Sequence, residues 1–133
     1  MVHALELIHN LLDKTGTLID IRPRGLPPEV MLQQGSSSTL IGHYQETDDF
    51  IEYRQAAWAM EQAIDQDLFR LRTSGTFEFI NHAESFAELK AFMQQEWSDS
   101  LLPPELELNA ARLGPGKVTL HEAVHLGVLD RLP

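Results

Sequence analysis

His121-Glu122-Ala123-Val124-His125 places two histidines four residues apart, with a carboxylate directly after the first. On a helix that spacing can do chemistry. One turn brings both imidazoles to the same face and onto one zinc ion, and the glutamate takes a proton from the zinc-bound water. On a strand the two histidines still share a face, but at about 3.3 Å per residue they stand about 13 Å apart, too far for one metal. The neighbouring residues predict the strand. Val118, Leu120, Val124, Leu126 and Val128 occupy alternate positions, broken only by Glu122, and the run follows a Gly114-Pro115-Gly116 turn. The expectation is therefore no metal and no cofactor. The alternative is zinc, with His121 and His125 as ligands and Glu122 as base.

The same five residues resemble the H-E-x-x-H signature of zinc metallopeptidases. The flanking Val118-Thr119-Leu120 and Leu126-Gly127 share the small, apolar character of the helices that carry it. A catalytic tetrahedral site also needs a third protein ligand. The position six beyond His125, a histidine in the longer form of the signature, is Arg131.

Other residues of chemical interest are scattered. Arg22 and Arg24 flank Pro23 just after a predicted strand, where open sheets often bind ligands, and arginine suits a carboxylate or phosphate. The competing role is pairing with nearby acids. His43-Tyr44 ends another predicted strand, and Asn81-His82-Ala83-Glu84 lies at a strand-to-helix junction. A histidine within hydrogen-bond reach of a carboxylate is a general base; without that reach it is a turn or capping group. Arg22, Arg24, His43 and His82 are thus the expected contacts for a small anionic ligand. Arg70 and Arg72 read as cations closing the dipole of a long helix. Neither a Gly-x-Ser-x-Gly string nor a phosphate-binding loop is present.

The elements that must position these groups follow from periodicity. Leu5, Ile8, Leu11 and Leu12 trace a helix that closes at Lys14-Thr15-Gly16. Residues 17–22 are a β-rich run ended by Pro23, and Pro27-Pro28 must be loop. Residues 29–33 and 38–45 pattern as a hairpin through Gln34-Gly35-Ser36-Ser37. Thr47 caps a helix whose stripe of Phe50, Tyr53, Ala57, Met60, Ile64 and Leu68 extends to about Leu71, with Gly75 ending the segment. Residues 76–82 alternate as a strand. Ser85 and Glu88 form a capping box for a helix carrying Leu89, Met93 and Trp97. Pro103-Pro104 starts a short helix before Gly114, and residues 117–126 are the final strand. Trp58 and Trp97, at apolar helical spacing, read as core.

A chain of 133 residues is one domain by length, and 43% hydrophobic residues suffice for a core without staples. With no cysteine there is no disulfide, thiolate or Cys-based metal site. A net charge of −10 argues against nucleic acid and against anionic membranes, because both reward Lys/Arg patches. The opening residues lack the basic start of a secretory signal, and no apolar run is long enough to span a bilayer, so the cytoplasm is the expected address.

Leu11-Leu12-Asp13-Lys14-Thr15-Gly16-Thr17-Leu18-Ile19-Asp20-Ile21-Arg22-Pro23 resembles a stretch of class I S-adenosylmethionine-dependent methyltransferases, in which a helix leads through a glycine turn into a late strand. The resemblance extends loosely to Phe77-Glu78-Phe79-Ile80 and the C-terminal strand. It implies kinship with the C-terminal half of that family, lacking the cofactor half. No Gly-x-Gly string precedes Gly114, so no S-adenosylmethionine site is implied.

The expected fold is α+β: an α/β sandwich with a mixed, largely antiparallel sheet of about five strands and about four helices. The expected function is a small, non-catalytic binding or assembly module working as a homodimer. The apolar first strand, residues 17–22, is its expected open edge. A zinc-dependent hydrolase and an accessory partner of a methyltransferase-like protein are the alternatives.

Overall fold

The computed structural model describes residues 2–133. In chain order they form α1 (Val2–Leu11), β1 (Thr17–Pro23), β2 (Glu29–Gln34), β3 (Ser37–His43), β4 (Gln45–Glu46), α2 (Ile51–Asp65), β5 (Phe69–Ala83), α3 (Phe86–Glu96), β6 (Ser100–Leu101), α4 (Pro104–Leu113) and β7 (Lys117–Arg131). The fold is α+β, as the pattern predicts: four helices with a largely antiparallel five-stranded sheet, plus a small β4–β6 sheet. β7 organises the larger sheet. β1 pairs with it from Thr17 opposite Asp130 to Pro23 opposite Val124. β2 pairs with it from Glu29 opposite His121 to Gln33 opposite Lys117. β5 pairs with β7 as well, and β3 extends the sheet from β2.

The chain divides into two compact units, the first comprising Met1–Gly25, Ile51–Phe77 and Val124–Pro133. Its core gathers Leu5 of α1, Ala59, Met60 and Ala63 of α2, Phe69 of β5 and Leu129 of β7, ringed by Val2, Leu12, Leu18, Ile64 and Leu68. Small residues on α2 let the helix lie close to its neighbours. The end of the chain is tied to α1: the Arg131 Nε–H donates to the His9 carbonyl at 2.8 Å, and the His9 Nε2–H donates to the Leu132 carbonyl at 2.8 Å. His9 also stands edge-on to Phe69 at 5.6 Å between ring centres.

The second unit comprises Leu26–Phe50 and Glu78–Ala123. Val30, Leu32, Ile41, Leu106, Val118 and Leu120 are buried there. α4 packs on β3, and the Asn109 side-chain amide donates to the Ile41 carbonyl at 2.9 Å. Gly42 has a φ of 150°, and a Cβ there would collide with Leu106 Cδ2, so only glycine lets α4 approach this closely. Ser85 caps α3 as expected, its hydroxyl accepting from the Glu88 N–H at 3.1 Å, while the Glu88 carboxylate reaches one residue further back than a capping box requires and accepts from the Glu84 N–H at 3.0 Å.

Several sequence expectations are corrected. α2 starts at Ile51, not at a Thr47 cap, because Asp49 and Phe50 both take positive φ, and the Asp48 side chain accepts from the Phe50 N–H at 3.0 Å. It also ends earlier, at Asp65. Asp67 has a φ of 57°, which turns the chain out of the helix, and the next residues are already β5. Gly75 therefore lies inside a strand, and Arg70 and Arg72 are strand residues paired with Asp130 rather than helix-end cations. Trp58 is 58% exposed and not in the core.

Candidate functional site

The His121-to-His125 string lies wholly within β7, so the helix needed by the zinc arrangement is absent there. Each of its two histidines has partners of its own. His121 Nε2 is 2.8 Å from the Thr119 hydroxyl, and His121 Nδ1 is 3.0 Å from Glu78 Oε1. An ionised carboxylate can only accept, so Nδ1 carries the proton toward Glu78 and Nε2 accepts from Thr119. Hydroxyl, imidazole and carboxylate in this order form the relay that activates a nucleophile. Thr119, however, is 1% exposed. A substrate carbonyl has no path to it, and the hydrogen bond serves to satisfy a buried hydroxyl.

Glu122 is adjacent to His121 on an extended chain and so points to the opposite face. Burial pushes its carboxyl up from the usual range, and the nearby Glu46 carboxylate adds to the rise. Glu46 in turn accepts a hydrogen bond from the Tyr44 hydroxyl at 2.9 Å. A raised carboxylate is a possible proton donor, yet neither histidine of the string is its partner.

His125 belongs to the first unit and faces other groups. Its Nε2 is 3.6 Å from Asp20 Oδ2, and Arg22 Nε is 3.2 Å from the same oxygen. Arg22 sits opposite His125 in the ladder, and Asp20 sits opposite Gly127. A Cβ at Gly127 would lie 3.1 Å from His125 Nε2, so glycine leaves the ring its place. Asp20 Oδ2 and Arg22 Nε are both buried without a well-aligned hydrogen bond. They are close enough to attract, and removal of either would strand the other charge.

Of the residues expected to bind an anion, Arg22 is thus engaged by Asp20, while Arg24, His43 and His82 are exposed. Two belong to each unit: Arg22 and Arg24 to the first, His43 and His82 to the second. A cleft of about 410 Å³ in the second unit, lined by Leu32, Phe86, Ala110 and Pro115 with Glu84 and Glu107, includes none of them. Among the described residues, no group of three or more His, Asp or Glu side chains is placed to hold a metal ion.

The sequence reasoning missed Asp20, Thr119, Glu78 and Glu46. Asp20 had a signal: alternation in β1 sets Asp20 and Arg22 on the same face as Leu18, the less exposed face. Glu78 and Glu46 had none, since they join their partners from other strands. No family model, curated protein or solved structure matches this chain.

Proposed function

We propose that this chain is a non-catalytic assembly module of the cytoplasm that works as a homodimer. One observation carries that reading. β5 is fifteen residues long, and residues 70–80 are exposed on both faces. It pairs with β7 alone among the described residues, which leaves the N–H and C=O groups of its other edge without a strand. Leu71, Phe77, Phe79 and Ile80 are 45%, 44%, 51% and 38% exposed along it. Monomers guard such edges with charge, proline, bulges or a covering element; here the charges are Arg70, Arg72 and Glu78, and residues 73–77 between them contain no charge and no proline. No helix of the described residues is long and apolar enough to cross a membrane.

The engagement of His121 and His125 by separate partners, Thr119 and Glu78 for one and Asp20 for the other, supports the non-catalytic part of the reading. A small anionic ligand would meet Arg24, which is exposed just after β1. Sedimentation at micromolar concentration tests the whole, with an expected mass twice the 15.0 kDa of one chain. A monomer overturns it. A 15.0 kDa species alone that moves to the summed mass of both chains when a methyltransferase-like protein is added would instead favour the accessory-partner reading, in which a partner's sheet takes the same edge. Elemental analysis is expected to find no stoichiometric zinc, and chelator to leave the melting temperature unchanged, since an ion bound only to the folded state would raise it.

A further inference from the structure

Resting on that assembly reading, we propose that two copies join β5 to β5, antiparallel, about a two-fold axis at Gly75. In a two-fold interface each residue faces a fixed partner and is faced by it in return. With the axis at Gly75, Arg72 of each copy lies opposite Glu78 of the other, Leu71 opposite Phe79, Thr73 opposite Phe77 and Ser74 opposite Thr76. The two ion pairs are set up in advance. Arg72 is held by Asp130 and its side chain is 54% exposed; Glu78 is held by His121 and is 55% exposed. Each charged group is thus held by a β7 residue and still exposed. β5 also reverses the balance of the chain, with Arg70 and Arg72 against Glu78 where the whole has 10 basic and 20 acidic residues. A second copy of an acidic chain is least repelled at this strand.

The axis position follows from the same residues. A side chain on the axis meets its own image, and Gly75 has open space where a Cβ would be. An axis at Ser74 also matches a charge pair, Arg70 with Glu78, but sets Phe79 opposite Phe69, which is 0% exposed and committed to the core. An axis at Thr76 sets Arg72 opposite Ile80 and Glu78 opposite Ser74, so both ion pairs are lost. The other apolar edge, β1, is seven residues long and ends in Pro23, which has no N–H to offer. Its charges, Asp20 and Arg22, already face each other.

Because the chain contains no cysteine, Gly75→Cys creates a single reactive site. Directly opposed antiparallel residues have Cα atoms about 4.5–5.5 Å apart, within the reach of a disulfide. Mild oxidation is expected to link Gly75→Cys to its copy, and not Ser74→Cys, whose nearest counterpart is residue 76. Arg72→Glu and Glu78→Arg are each expected to weaken the dimer at least ~10-fold by setting like charges face to face. A mixture of the two variants restores it, because the heterodimer again has two opposite-charge pairs; local damage to either monomer would not be repaired by mixing. A monomeric wild type sinks both the assembly reading and this interface. A dimer in which Ser74→Cys links instead, or in which neither charge reversal has an effect, overturns the β5 register and leaves assembly through another surface standing.

Discussion

β5 and β7 are each fifteen residues long and pair with one another, yet residues 70–80 of β5 are exposed throughout, while in β7 only Lys117 is. Apolar content does not separate them. β5 carries Phe69, Leu71, Phe77, Phe79 and Ile80; β7 carries Val118, Leu120, Val124, Leu126, Val128 and Leu129. What differs is the set of neighbours. β1 and β2 both pair along β7 in addition to β5, whereas β5 has β7 alone among the described residues. Strand burial here is set by what lies alongside, and β5 keeps apolar side chains that remain exposed.

The strongest break of that comparison lies within β5 itself. Phe69 is 0% exposed in the first unit's core, so Phe69→Ala is expected to cost ~3–5 kcal/mol by urea unfolding. Phe79→Ala, measured where the protein is monomeric, should change stability by no more than ~0.5 kcal/mol. Similar losses at the two positions would mean that Phe79 is packed and the edge is not free.

Glycines give the next contrast. Gly42→Ala forces a Cβ into Leu106 at a positive φ, at an expected cost of ~1–3 kcal/mol. Gly75→Ala meets nothing and should be neutral or stabilising by up to ~1 kcal/mol, since it narrows the unfolded ensemble. Thermal melts at low concentration separate the two; a destabilised Gly75→Ala monomer would show that the edge is covered.

A smaller effect is expected inside β7. Thr119→Val keeps the shape of the buried side chain and removes the hydroxyl that meets His121, costing ~1 kcal/mol. If the hydroxyl were a nucleophile rather than a satisfied buried group, an acylating probe would modify it; no covalent adduct by mass spectrometry is the expected outcome.

The smallest effects are in pH. Burial raises the Glu122 carboxyl, so the folded state holds that proton more tightly than the unfolded chain. Its contribution is most favourable below the ordinary carboxylate range and is lost as pH rises through the raised value. Glu122→Gln removes that loss, and a modest rise in melting temperature at neutral pH is expected, with little change in acid. Asp130 has the opposite sign. The hydrogen bond from Arg72 lowers it first and foremost, so its stabilisation is present above the ordinary range and disappears as pH falls through the lowered value. Because its partner Arg72 is exposed, the pairing should weaken in salt. A melting temperature for Glu122→Gln below wild type at neutral pH would show that its charge is used rather than tolerated.

Much of the fold was legible in the residues themselves. Period-two alternation and the Gly114-Pro115-Gly116 turn are enough to set His121 and His125 on a strand, because side-chain direction follows from backbone type. The β2–β3 hairpin, the Ser85 cap of α3 and Pro104 at the start of α4 are likewise local, since turn, cap and φ preferences act within a few residues. Locality also misled. The Ile64, Leu68, Leu71 spacing continues a helical stripe, and only the turn at Asp67, with Phe69 seated against Leu5 and Leu129, makes that stretch a strand. The meeting of His121 with Glu78 and of His125 with Asp20 depends on which strands pair in which register. That is decided by burial summed over whole elements, so residues far apart in the chain become neighbours without any mark in their immediate surroundings. The exposure of β5 has the same cause: alternation marks residues 76–82 as strand, and the positions of the other strands determine that one edge of β5 is left open among the described residues.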